Sequence, residues 1–266
     1  MVVIGSKYEI VEPIGEGSFG CIYKGRNTNT GKLVAIKSDK GAGVILRNEA
    51  AMYRLLAGEA GFPRMRAFWV EDEGAFLVMD LLGRSLSSVC SELPGPRPVS
   101  VVALVGVEII RRLRSLHERG VIHRDVKPDN LVFGTGTERT VLHLVDLGLA
   151  RRYTDSDGRH CEMASGRDMT GTPAYASVSA HSGVTQSRRD DIESAAYVLL
   201  EMANGSLPWG DSNAEAVKRE NEWSTFSDVP GEFLTVLRYA RSLGFRDRPN
   251  YDYLIGLLTN LREHTQ

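Results

Sequence analysis

The sequence predicts an α+β fold of two lobes, a small antiparallel β lobe with one main helix and a larger, mainly helical lobe. Two observations carry this. Short β-rich runs separated by turn residues fill the chain up to about residue 81, and beyond Gly83 long apolar segments with spacings of three and four replace them.

Taken in order, Tyr8 to Lys37 reads as strand, glycine loop, strand, an Asn-Thr-Asn-Thr-Gly turn at 27–31, and a strand over 32–37, which is an antiparallel meander. Residues 45–56 have helical composition, with Leu46, Tyr53 and Leu56 able to share a face and Gly58 placed to end the helix. A hairpin follows, with strands at 67–70 and 75–81 around the turn EDEG. Asp80 to Gly83 is the expected hinge, and PGPRP at 94–98 reads as a surface loop. In the second lobe Val102, Val105, Ile109, Leu113 and Leu116 mark one helix face. Residues 192–202 are apolar on most sides and predict a helix buried throughout, while 233–243 and 253–261 are amphipathic.

Composition narrows the function. The 266 residues are 42% hydrophobic and 25% charged with a formal net charge of -2, so neither nucleic acid nor a membrane surface is expected as a partner. Charge-based recognition must be local. Cys21, Cys90 and Cys161 are odd in number and widely spaced, which argues against a disulfide framework or a zinc cluster and for a reducing compartment. The first residues lack a signal-peptide pattern and no apolar run reaches about 18 residues. The expectation is a cytoplasmic or nuclear monomer.

The segment GEGSFG, Gly15 to Gly20, is a GxGxxG pattern whose glycines let backbone amides approach a triphosphate. A dinucleotide fold would need the last glycine to open a helix, and the turn at 27–31 leaves no room for one. VAIK, Val34 to Lys37, ends a strand 17 residues after Gly20, so an ammonium could reach the α and β phosphates. Glu49 on the following helix could face Lys37 and hold it extended. HRDVKPDN, His123 to Asn130, is followed 16 residues later by DLG, Asp146 to Gly148. Phosphoryl transfer needs a carboxylate near the incoming hydroxyl, oxygen ligands for magnesium and a cation against developing charge. Asp125, Asn130, Asp146 and Lys127 supply these groups.

These motifs, in this order, resemble the eukaryotic protein kinase superfamily over nearly the whole chain, from about Tyr8 to Leu261. The resemblance implies one kinase domain over 1–266, with an N-lobe at about 8–79, a hinge at 80–83 and a C-lobe at about 84–262. ATP would lie in the cleft with Mg2+. By the same resemblance Asp125 is the catalytic base, Asn130 and Asp146 bind magnesium, and Lys37 with Glu49 positions the nucleotide. Ile14, Gly15, Glu16, Gly17, Ser18, Phe19, Gly20, Cys21, Ile22, Ala35, Met79 and Leu82 complete the nucleotide site. Lys127 resembles serine/threonine rather than tyrosine kinases.

The stretch GTPAYASVSAHSGVTQSRRDDIESAAYVLLEMANGSLPW, 171–209, closely resembles the casein kinase 1 group. Ser177, Val178 and Ser179 stand where most protein kinases have Ala-Pro-Glu, and that group departs there in a similar way. Met79, Leu82, Gly83 and Ser85 resemble its gatekeeper and hinge, and FRDRPNYDYL at 245–254 its late helical segment. Leu147 replaces the usual phenylalanine, Ala196 a common glycine, the 209–233 segment is short, and the chain stops at Gln266 without a long tail. The resemblance places Arg124, Arg151 and Arg167 around one anion site, with Arg188 and Lys218 or Arg219 near a second. Substrates would then be proteins with acidic or phosphorylated residues upstream of the acceptor. A vaccinia-related-type kinase, a catalytically silent kinase-fold scaffold and a small-molecule phosphotransferase are the alternatives.

Overall fold

The computed structural model describes residues 2–17, 20–39, 41, 43–71, 74–220 and 223–265. The chain begins with strands β1 (Val2–Ile4), β2 (Tyr8–Gly17), β3 (Gly20–Asn27) and β4 (Leu33–Asp39), then helix α1 (Val44–Leu55), then β5 (Met65–Glu71) and β6 (Gly74–Asp80). They form one antiparallel sheet in the order β1-β2-β3-β4-β6-β5. β1 was not anticipated, because three residues are too short a run to show alternation; it pairs with the start of β2 through Ile4↔Tyr8. Turn residues EDEG fall partly at 72–73, outside the described residues.

Tyr8, Val34, Ile36 and Val78 close one face of this sheet, and Trp69 stacks between Tyr8 and Phe76 at ring-centroid distances of 6.0 and 5.5 Å. α1 buries Leu46 and Tyr53, with Leu56 just past its end, as the spacing predicts, together with Ala50 and Met52. Its start is weakly secured: Gly43 precedes it at φ 66°, no side chain caps it, and its first turn holds no acidic residue.

Next come α2 (Leu86–Ser91), α3 (Val99–Glu118), β7 (Val121–Ile122), the paired strands β8 (Leu131–Phe133) and β9 (Leu142–Leu144), and β10 (Arg151–Arg152), which pairs with β7. The remainder is helical: α4 (Val178–His181), α5 (Arg188–Asn204), α6 (Ala214–Glu220), α7 (Gly231–Ser242) and α8 (Tyr251–His264). The chain forms two compact units, 1–84 with 132–148, and 85–131 with 149–266. Segment 132–148 lies beyond the hinge in sequence yet belongs to the first unit, where Gly83 N donates to Phe133 O at 2.7 Å and Leu144 N to Gly61 O at 2.9 Å.

In the second unit α3 packs on α5 and α8, and α5 on α7. Val102, Val105, Ile109, Leu113 and Leu116 are buried, as their spacing requires. Every residue from Ile192 to Leu200 is buried, so α5 is the central helix. Ser187 caps it reciprocally with Asp190, whose carboxylate accepts from Ser187 N at 2.6 Å. The 94–98 loop is largely exposed but fastened, since Arg97 N donates to Met202 O at 2.8 Å. Among the described residues no helix is long and apolar enough to cross a membrane.

Candidate active site

The first unit gathers its chemistry around Lys37. β4 is an interior strand, paired on one side with β3 and on the other with β6, so the lysine leaves a backbone fixed by two ladders. Lys37 Nζ bonds Glu49 Oε1 at 2.7 Å and Asp146 Oδ1 at 2.8 Å. Glu49 is 1% exposed and Lys37 15%, which makes this a shielded cluster. Burial opposes the lysine's charge, but the Glu49 and Asp146 carboxylates outweigh it and hold the Lys37 pKa above its ordinary value. Asp146 adopts φ 63°, a conformation costly for a non-glycine residue, and its N–H donates to the Tyr53 hydroxyl at 3.2 Å. Leu147 fills a fully buried position beside it.

Gly15, Glu16 and Gly17 on β2 lie opposite Ile22, Cys21 and Gly20 on β3, so the glycine segment is the end of a hairpin. Gly20 is required by its surroundings: at φ 147°, an added Cβ would sit 1.9 Å from Ser38 O. Ile14 is exposed, Cys21 and Ile22 half-buried, and Ala35 lies opposite the buried Met79 across β4 and β6. Leu82 is half-buried in the 80–83 segment. Ser18 and Phe19, also expected in the nucleotide site, lie outside the described residues.

The second unit gathers its chemistry around Asp125. Thr172 donates to Asp125 Oδ1 through both N and Oγ1 at 2.8 Å, and Lys127 Nζ lies 2.8 Å from Thr172 Oγ1 and 3.1 Å from Asp125 Oδ2. Asn130 Nδ2 donates to Asp125 O at 2.8 Å, which leaves its amide oxygen facing the other way. The amide oxygen of Asn130 in the second unit and the carboxylate of Asp146 in the first are each a hard donor of the kind that magnesium takes. No cluster of three His, Cys, Asp or Glu side chains among the described residues holds a metal by itself.

Sequence reasoning missed the groups that hold this loop in place. Asp191 on α5 accepts from His123 N at 2.7 Å, from Arg124 N at 2.8 Å, and pairs with His117 Nε2 at 2.8 Å. His117 in turn bonds Tyr251 Oη at 2.7 Å. These contacts support Arg124 at φ 70°, another left-handed non-glycine backbone. Two adjacent acidic residues in the first turn of an otherwise apolar helix were the available signal. Thr172 was visible within GTPAYAS, but nothing in its neighbours marks it as a partner of Asp125.

Arg124, Arg151 and Arg167 do come together. With Arg152, Tyr153, Thr170 and Gln186 among the others they line a cavity of about 200 Å³, with Asp168 its one acidic residue. Arg124 Nε donates to Leu149 O at 2.7 Å, and burial, then the neighbouring Arg151, lowers its pKa. The residues expected at a second anion site have protein partners. Arg188 lies over the Tyr153 ring at 4.7 Å and donates to Arg246 O at 2.6 Å, so its guanidinium is spent on packing. Lys218 is buried at the wall of a cavity that Arg189, Arg219 and Arg241 also line. Arg219 is exposed but pairs with Glu215 at 2.8 Å.

A lysine beside two carboxylates in one unit and an acid beside a second lysine in the other are groups that phosphoryl transfer uses. Comparison with known families makes the class specific. The protein kinase domain model matches residues 8–250, and the chain belongs to that family.

Proposed function

We propose that this protein kinase is catalytically active, of casein kinase 1 type, and directed to serine or threonine residues preceded by an acidic or phosphorylated residue. The observation that carries the reading is the arginine-lined cavity that includes Arg124, the residue next to Asp125. Guanidinium groups donate paired hydrogen bonds to phosphate and carboxylate oxygens, so a substrate anion seated there would be tied close to the acceptor-activating acid.

In the reaction Asp125 orients the acceptor hydroxyl and takes its proton. Lys127, bonded to Asp125 and Thr172, offsets charge that develops on the transferred group. Lys37, kept extended by Glu49, is available to the phosphates of the nucleotide. Bound magnesium supplies neutralisation of the phosphate oxygens, and Asn130 and Asp146 would hold it. Retention of all these groups favours an enzyme over a silent scaffold. The 171–209 spelling favours casein kinase 1 type over the vaccinia-related type. Retention of segment 171–209 also disfavours a small-molecule phosphotransferase.

The test compares peptides with phosphoserine, aspartate or alanine three residues before the acceptor, at low and high salt, for the wild type, Asp125→Asn, Lys37→Met and Arg167→Ala. Wild type should favour the phosphoserine peptide through a lower KM, with less advantage at high salt. Arg167→Ala should lose that preference with KM for MgATP unchanged, and Asp125→Asn and Lys37→Met should lose transfer by at least a hundredfold while remaining folded. Equal wild-type efficiency on all three peptides would remove the anion preference, and turnover surviving in Asp125→Asn would remove the assigned base.

A further inference from the structure

The 171–177 segment brings Thr172 to Asp125, yet most of it has no regular structure of its own. Three of its carbonyls accept from side chains. Ala174 O accepts from the Trp209 indole at 2.9 Å, while Pro173 O and Ala176 O each accept from Lys218 Nζ at 2.8 Å. Lys218, on α6, is 0% exposed, and its ammonium lies 4.5 Å from the Tyr197 ring centroid and 5.3 Å from that of Trp209. His181 Nε2 on α4 also donates to Pro173 O, at 3.0 Å. A buried carbonyl left without a donor is unfavourable. The segment's own backbone bonds, Tyr175 N and Ala176 N to Thr172 O at 2.9 Å, close a single turn, and one ammonium ties down two further carbonyls.

We propose that Lys218 is a positioning residue for phosphoryl transfer, its buried ammonium fixing the 171–177 loop through the Pro173 and Ala176 carbonyls so that Thr172 meets Asp125. The proposal rests on the reading of Asp125 as the base. A structural filler for this space would be an apolar residue, since the walls are aromatic and burying a charge is unfavourable. The ammonium is instead matched to two carbonyl acceptors, one of which, Pro173 O, also accepts from His181. Its charged surroundings are mixed: burial is the largest influence and brings the pKa down to about 7, Glu193 on α5 favours the charge, Arg241 on α7 opposes it, and Asp211 ahead of α6 favours it. His181, whose own pKa burial and Lys218 lower, is the titratable group on α4. Charge-assisted bonds to the two carbonyls are thus strongest below about pH 7 and weaken as the amine becomes neutral.

The experiment measures MgATP-dependent phosphorylation of dephosphorylated casein by the wild type, Lys218→Met, Lys218→Ala and Asp125→Asn, well below each variant's melting temperature. Both Lys218 variants should lose tenfold or more in kcat with KM for MgATP within twofold of wild type. n-Propylammonium, which replaces the atoms deleted in Lys218→Ala, should restore part of that loss, and n-propanol should not. Wild-type kcat with a lowered melting temperature would make Lys218 structural only and overturn the proposal. If neither variant folds, the wild type decides: kcat should fall as pH rises through about 7 with KM for MgATP steady, and a flat kcat from about pH 6 to 9 would overturn the proposal. Turnover kept in Asp125→Asn would sink the reading of the base, whereas turnover lost there but kept in both Lys218 variants would sink Lys218 alone.

Discussion

Gly171 sits at φ 105° with Arg124 O only 2.4 Å from where a Cβ would be, and Thr172 follows it onto Asp125. The glycine lets two backbone segments meet, and the threonine then uses that proximity. Around the same carboxylate, Asn130 divides its amide: the nitrogen holds Asp125 and the oxygen is turned away. Asn130→Asp should therefore leave an oxygen ligand but no donor to Asp125 O, whereas Asn130→Ala removes both. Magnesium titrations at fixed ATP should give a raised half-saturating concentration for Asn130→Ala and a smaller rise, with lower kcat, for Asn130→Asp; equal curves for all three proteins would exclude this division of roles. Asp125, Lys127 and Asn130 were legible because their chemistry is compressed into eight residues. Thr172 and Asp191 were not, because their bonds to that octet span 47 and 67 residues.

Among the elements, α5 carries an unusual load. It is buried almost throughout, yet its first turn contains Asp190 and Asp191, both nearly inaccessible. Burial raises the Asp190 pKa to about 6, against the lowering effect of the Ser177 hydroxyl and Ser187 N–H that it accepts from. A carboxyl whose pKa is higher folded than unfolded binds its proton more tightly in the fold. Its stabilisation is full below about pH 4 and is lost as pH rises through about 6, a difference of about 3 kcal/mol. The melting temperature of the wild type minus that of Asp190→Asn should accordingly fall between about pH 4 and 6, and a difference constant across that range would contradict it. The long helices were readable because period and burial agree. α2, α4 and α6 were not, since helices of 6, 4 and 7 residues have too few turns to display a period.

For the molecule as a whole, the division into a sheet with one main helix and a helical remainder followed from the change of pattern after Gly83, and the protein kinase domain match agrees with that architecture. The chain does not divide cleanly at one point, however. Residues 132–148 return to the first unit and deliver Asp146 to Lys37, a partnership of residues 109 positions apart. Motif order paired Lys37 with Glu49 and not with Asp146, and hydrogen bonds such as Phe133 N to Arg84 O and Leu144 N to Gly61 O account for where the segment goes. The surroundings of the expected second anion site were illegible for a related reason: sequence shows that Arg188 and Lys218 are cationic, but not that an aromatic ring and two carbonyls engage them.

The interior position of β4 and the bare start of α1 give the Lys37–Glu49 pair two ends of unequal lifetime. Sliding β4 would break ladders on both of its edges, while loosening α1 breaks no side-chain cap at all. The rate at which the pair opens is therefore set by the helix, and the strand acts as its fixed reference. In deuterium exchange the α1 amides should be replaced as a group ahead of those in β4. Exchange of β4 ahead of α1 would assign the opening to the sheet.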